Sequence, residues 1–212
     1  VSVHADELVI EGSANSGLSI LSGNSNNGRI MFGDDGDNDI GYIEYDHSAN
    51  QLALGANAGS HLKIDSAGHV TMPNQSCFFA HANTVNGAGT GTNDIVFQTE
   101  RFDLNSDFNT TSGVFTAPVT GKYLFDVSVL VVNAQAGGNI SIYLQPSNFE
   151  IRAHRQNSDN ATEGTYESKT FSVIVDMDAN DTCKVQINSS TDNDFIISGS
   201  SFATTFSGHL VA

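Results

Sequence analysis

Along the first third of the chain, apolar residues come as isolated i, i+2 pairs: Leu8/Ile10, Leu18/Ile20, Ile30/Phe32, Ile43/Tyr45, Leu52/Leu54, Leu62/Ile64 and Val70/Met72. Each pair puts two side chains on one face of a very short predicted strand. Turn signals lie between them at Asn27-Gly28, Asp35-Gly36, Asn57 to Gly59 and Ala67-Gly68, so the region reads as a loose internal repeat. After Pro73 the alternation lengthens. Tyr123-Phe125-Val127-Val129-Val131, Ile140-Ile142-Leu144, Phe171-Val173-Val175 and Val185-Ile187 predict longer strands, and Phe202, Phe206 and Leu210 predict the last one. No useful stretch keeps the 3.6-residue period of a helix. The fold class is therefore all-β, with a short-stranded region at 1–74 and a β-sandwich at 75–212.

The apolar residues of the first region are too few to close a core within one chain, because a short-stranded ribbon is at best marginally stable in water. Neighbouring copies have to supply the rest. Three chains around an axis, each giving a short apolar face per level, predict a narrow triangular, intertwined β-stem.

Charge narrows the range of partners. Lys and Arg total 8 against 24 Asp and Glu, a formal net charge of -16 over 212 residues. Such a surface repels phosphate backbones and anionic lipid, which argues against nucleic acid as a partner. No apolar run approaches the length of a membrane helix, which argues against membrane insertion. The start at Val1 suggests a piece of something longer or a trimmed chain. Cys77 and Cys183, far apart in apolar strand-like contexts, read as buried free thiols, with a disulfide as the alternative.

Ser112 to Phe125 reads S-G-V-F-T-A-P-V-T-G-K-Y-L-F. Val114-Phe115 ends a strand, Pro118 removes a ladder donor, and Gly121 permits a tight turn into the next run, so a corner between strands is predicted. This segment, with F-S-G-H-L-V-A at Phe206 to Ala212, resembles the signature of the globular heads of the complement one-q and tumour necrosis factor superfamily. The resemblance implies a jelly-roll head that assembles as a homotrimer and binds other molecules. It takes in Phe78-Phe79-Ala80 and Ile95-Val96-Phe97, and departs at His209, where such heads carry an aromatic or aliphatic residue. Arg29 to Val70, with R-I-M-F-G-D-D, I-G-Y-I-E-Y-D-H-S-A-N-Q-L-A-L and L-K-I-D-S-A-G-H-V, resembles a pattern common in viral fibre and tail proteins and also met in bacterial surface appendages.

Strand parity predicts where a ligand binds. The connections Pro118 to Thr120, Pro146-Ser147 and Asp178 to Asp181 fall on the side where the chain enters the head. Asn133 to Gly138, Gln156 to Gly164 and Ser189 to Gly199 fall at the opposite tip, and these are the long, polar ones. Candidate receptor-binding residues are Asn133, Gln135, Asp159, Asn160, Glu163, Asp192, Asn193 and Asp194, whose oxygens and amides suit sugar hydroxyls or Ca2+.

In G-D-D-G-D-N-D-I-G, Asp35, Asp37 and Asp39 alternate and form a candidate Ca2+ site, though Ile40 stands where an EF-hand loop needs Gly. No other cofactor is implied. The chain lacks a G-x-S-x-G elbow, a phosphate-cradling glycine loop and a Cys/His dyad, and no apolar pocket suggests itself to raise a catalytic acid's pKa, so an enzyme is not expected. The resulting expectation is the host receptor-binding distal part of a homotrimeric bacteriophage tail fibre, located on the virion and attaching to a cell-surface glycan or protein. The alternatives are an extracellular or bacterial surface adhesin and a fibre-borne polysaccharide depolymerase.

Overall fold

The structure, a computed structural model, describes residues 8–83, 85–86, 90–132, 138–157, 166–190, 196–198 and 203–212. The chain divides into two compact units, Val1–Pro73 and Asn74–Ala212.

In the first unit, β1 (Asn27–Phe32), β2 (Gly41–Asp46), β3 (Gln51–Ala56), β4 (Gly59–Ile64) and β5 (Val70–Thr71) form one antiparallel sheet in sequential order. Aspartates hold the β2–β3 and β4–β5 connections, while Asn57 and Ala58, both at positive φ, make the two-residue β3–β4 turn. Asp46 Oδ1 accepts from the Ser48 and Ala49 N–H groups, and Asp65 Oδ1 accepts from those of Ala67 and His69. The expected pairs from Ile30/Phe32 to Leu62/Ile64 are therefore parts of longer strands that pair within the chain, whereas β5 holds only Val70 and Thr71 and leaves Met72 outside. Leu8/Ile10 and Leu18/Ile20 depart from expectation: they lie outside any strand, in a segment broken by Gly12, Ser13, Ser16 and Gly17.

Register sorts the side chains of this sheet by face. Ile30, Ile43, Leu54 and Leu62 stand in one cross-strand row, and Tyr45, Leu52, Ile64 and Val70 in the next. The opposite face carries Arg29, Glu44, Ala53 and Lys63 in register, with Arg29 Nε donating to Glu44. A bulge after Leu54 absorbs His61, whose Nε2 bonds Ala56 O at 2.8 Å, and so keeps Leu62 in the apolar row. Among the described residues Ala53 is the only buried hydrophobic residue of this unit.

The second unit contains β6 (Cys77–His81), β7 (Val85–Asn86), β8 (Gly91–Ile95), β9 (Thr99–Asp103), β10 (Phe108–Asn109), β11 (Val114–Thr116), β12 (Gly121–Val132), β13 (Asn139–Pro146), β14 (Ile151–Asn157), β15 (Tyr166–Met177), β16 (Thr182–Ser189), β17 (Ile196–Ile197) and β18 (Thr205–Leu210). One sheet runs β9-β6-β18-β12-β15, with β7 and β17 continuing the lines of β6 and β18. The other runs β10-β11-β16-β13-β14, with β8 beside β11 on the same edge of β16. All pairs are antiparallel. The chain crosses from the second sheet to the first between Ile95 and Thr99, and Phe97 is fully buried at the crossing.

Inward-facing residues of both sheets make one core. Phe78 stacks on Phe108 at 4.7 Å between ring centroids and meets Phe206 edge-on at 5.0 Å, while Phe115 meets Phe125 edge-on at 5.4 Å. The glycine of F-S-G is fixed by this cluster. A Cβ on Gly208 would stand 2.6 Å from the Phe125 ring and 2.8 Å from that of Phe78. His209, the departure from the family pattern, is exposed and pairs in register with Cys77 and Leu124. Cys77 and Cys183 are both free, and burial pushes both thiols up.

Three elements exceed what the sequence pattern indicates. β14 is a polar edge strand with no clean apolar alternation, β9 is largely exposed, and β10 is too short for a period-2 signal.

Candidate functional site

The three short connections of the second unit interlock at one end. Ala117 N–H donates to Asp181 O and Asn180 N–H to Ala117 O, both at 2.8 Å, and Ser147 N–H donates to Thr182 O at 2.8 Å. Thr120 Oγ1 accepts from Ala179 N–H at 3.1 Å. The predicted corner is here, with Tyr123 buried and its hydroxyl donating to Val119 O at 2.7 Å. The chain enters at the same end, where Gln75 Nε2 donates to Leu210 O.

A polar groove of about 580 Å3 also opens at this end, lined by Ser106 to Thr111, Thr116 to Pro118 and Asn180. Beneath it, Asp103 accepts from the Asp107 and Phe108 N–H groups. Burial, and next the Asp103 charge, hold the Asp107 carboxyl above the usual carboxylate range, although Ser76 partly offsets them.

The opposite end is framed by the last residues of long strands: Val132 pairs with Tyr166 and Ile196, Asn139 with Asn157, and Ile140 with Ser189. From these strand ends the long connections leave. The frame is rigid. Thr204, fully buried, donates from Oγ1 to Ser198 O at 2.7 Å and accepts from Leu130 N–H at 3.1 Å, tying β17 and β18 to β12. Asn139 N–H donates to Ser190 Oγ while Ser190 N–H donates to Asn139 O, closing the mouth between β13 and β16.

One charged pair sits within this frame. Lys169 Nζ donates to Glu167 Oε2 at 3.0 Å, with side chains only 4% and 19% exposed, on the inward-facing positions of β15 that continue Phe171, Val173 and Val175. The candidate residues read from the sequence do not include it. Running the period-2 alternation backward from Phe171 places Glu167 and Lys169 inside, and that signal was available.

Asn133, Gln135, Asp159, Asn160, Glu163, Asp192, Asn193 and Asp194 all lie outside the described residues.

In the first unit Asp34, rather than Asp35, organises the acidic turn, its Oδ1 accepting from the Gly36 and Asp37 N–H groups. Asp37 Oδ1 accepts from Asp39 N–H, and the Asp37 side chain holds the Asp39 carboxyl above its usual range. Among the described residues no group of three or more His, Cys, Asp or Glu is placed to hold a metal ion, so Asp35, Asp37 and Asp39 are not gathered as a ligand set. Among the same residues no helix is long and apolar enough to cross a membrane.

Two facing antiparallel sheets with these crossings define an all-β jelly-roll sandwich. Residues 77–211 match the C1q domain, and the chain belongs to that family. The globular domain of the zebrafish complement 1qA protein superposes with a TM-score of 0.50 at 14% identity, covering 65% of this chain and 98% of that one. Murine APRIL at pH 8.0 gives 0.47 at 14% identity over 65% of this chain and 99% of that one, and Eiger TNF from S. frugiperda gives 0.47 at 11% over 65% and 94%. At these identities the likeness is one of fold. No curated protein matches the chain. Domains of this class are typically non-enzymatic binding modules and commonly form homotrimers.

Proposed function

We propose that this chain is the distal, host receptor-binding part of a homotrimeric bacteriophage tail fibre, carried on the virion. The observation that carries the reading is the asymmetry of the head. Its short connections interlock at the end where the chain enters, and its long polar connections leave from the other. Long loops on a rigid scaffold are where binding concentrates. The fibre-like pattern of Arg29 to Val70 supports a stalk-borne head, and the C1q family supports a threefold one.

The mechanism is avidity. Three equivalent tips on one axis, repeated over several fibres, turn weak contacts with a cell-surface glycan or protein into secure attachment without breaking a bond. The test uses fluorescently labelled full chain, a panel of bacterial cells and their purified surface glycans, with and without chelator. Binding without release of reducing ends is expected, lost on replacing Asp192, Asn193 and Asp194 together by Ala while light scattering still reports a trimer. Unchanged binding by that variant moves the site off the tip. A folded monomer at micromolar concentration overturns the reading.

A further inference from the structure

Among the described residues of the first unit, no second layer covers the apolar face of its sheet. Ile30, Ile43, Leu54 and Tyr45 remain 37% to 40% exposed, and Val70 reaches 58%, although all lie in register on one side of a paired sheet. The two rows they form carry no charged residue, whereas Arg29, Glu44 and Lys63 occupy the reverse face. Among the described residues of this unit, Ile20 covers one corner of it, where it lies over Gly28. A contiguous exposed apolar face of this kind marks an interaction surface.

We infer that this face is covered by the same face of two further copies, so that three sheets enclose one shared core. The inference rests on the homotrimer proposed above. Dimensions decide the number. At about 3.3 Å per residue and about 4.8 Å between strands, the sheet is roughly 20 Å on each edge. Two such faces together bury about 800 Å2, the size of a crystal-packing contact, while three bury about 1,200 Å2, where stable specific interfaces begin.

Closure agrees with that count. Three faces of this width bound a triangular space whose centre is about 6 Å from each sheet, near half of the roughly 10 Å at which packed sheets sit. One layer of Ile, Leu and Tyr side chains from each sheet fills it. Each sheet continues through the Pro73–Asn74 peptide bond into a head of a class that commonly trimerises, so three copies arrive with the matching symmetry and at high effective concentration. A face-to-face pair would leave the third head's sheet uncovered. The net charge of -16 adds a reason for this orientation, because the charged faces then point to solvent, where salt screens them.

The experiment mixes methyl-labelled and unlabelled full chains, unfolds and refolds them together, and records isotope-filtered contacts between chains. Contacts between copies at the Ile43, Leu54 and Leu62 methyls are expected. In parallel, the thiol of Ile43→Cys in the native trimer should alkylate at least about tenfold more slowly than that of Ala49→Cys in an exposed turn. A trimer by light scattering without interchain contacts at these methyls overturns this inference and leaves the trimeric head standing. Contacts only from Leu18, Ile20 and Leu21 of the same chain also overturn it, naming the chain's own leading segment as the cover. A monomer overturns both readings.

Discussion

Ser147 donates its hydroxyl to Asp181 Oδ1 at 2.8 Å, and this one bond joins the β13–β14 connection to the β15–β16 connection. Asp181 Oδ2 accepts from Asn148 Nδ2 at 2.7 Å and from Asp178 N–H at 2.9 Å, so one carboxylate gathers two loops. Asp181→Ala is expected to lower the melting temperature of the head by a few degrees, roughly, without altering assembly. Thermal scans beside light scattering check both halves; an unchanged melting temperature removes the carboxylate from any structural role.

Gly208→Ala places a methyl against two packed rings. Overpacking of this kind costs about 1–3 kcal/mol, and the rings can retreat little because Phe78 and Phe125 also pack on Phe206 and Phe115. Urea unfolding should show a lower midpoint with an unchanged slope. A wild-type midpoint would mean that the core is looser than its contacts indicate.

Lys169→Met leaves the Glu167 carboxylate desolvated without its ammonium partner. Breaking a buried pair costs several kcal/mol; with Glu167 still partly exposed, about 2–3 kcal/mol is expected, and Lys169→Met with Glu167→Gln should recover much of it. The double-mutant cycle by urea unfolding measures the coupling. Additive losses would show that the two side chains act independently.

Acid should loosen the two units differently. The Asp65 carboxyl lies below the usual range, chiefly because the His69 side chain hydrogen-bonds it, and next because it accepts the His69 N–H. Its stabilisation is present above the ordinary Asp value of about 3.9 and is lost as pH falls through the lowered folded value. Asp107 is raised, so the native head binds that proton more tightly than the unfolded chain and gains stability as pH falls through the raised value. Amide exchange corrected for intrinsic rate should show Ala67 and His69 losing protection below about pH 4, with Asp65→Asn showing the loss at every pH. Protection that persists in Asp65→Asn would clear the carboxylate of this role.

The sandwich was legible where one face of a strand is apolar. Tyr123 to Val131 and Val185-Ile187 announce β12 and β16, and the Pro118 corner is where its proline and glycine put it. Polar edges were not legible: β14 reads I-R-A-H-R-Q-N, with no apolar alternation to announce it. In the first unit the i, i+2 pairs were correctly read as one-sided, but their strands looked too short. Tyr42, Glu44 and Ala53 belong to the same strands and face the other way. Gly55 could not have been assigned from sequence, since its reason is the Tyr42 ring lying across it, closer than any Cβ would allow. At the candidate site the frame follows from strand parity, whereas the polar loops obey no packing period that would fix individual residues.

The strand that receives the chain from Pro73 is β6, and it lies between two ladder partners, β18 and β9. A pull entering at Asn74 runs along β6 and loads both ladders lengthwise, so their hydrogen bonds resist together instead of opening one at a time like a zip. The chain reaches β9 from the other sheet through the buried Phe97 crossing, so that sheet shares the load. A force that enters the second unit through Pro73 therefore meets the arrangement of strands that resists tearing best.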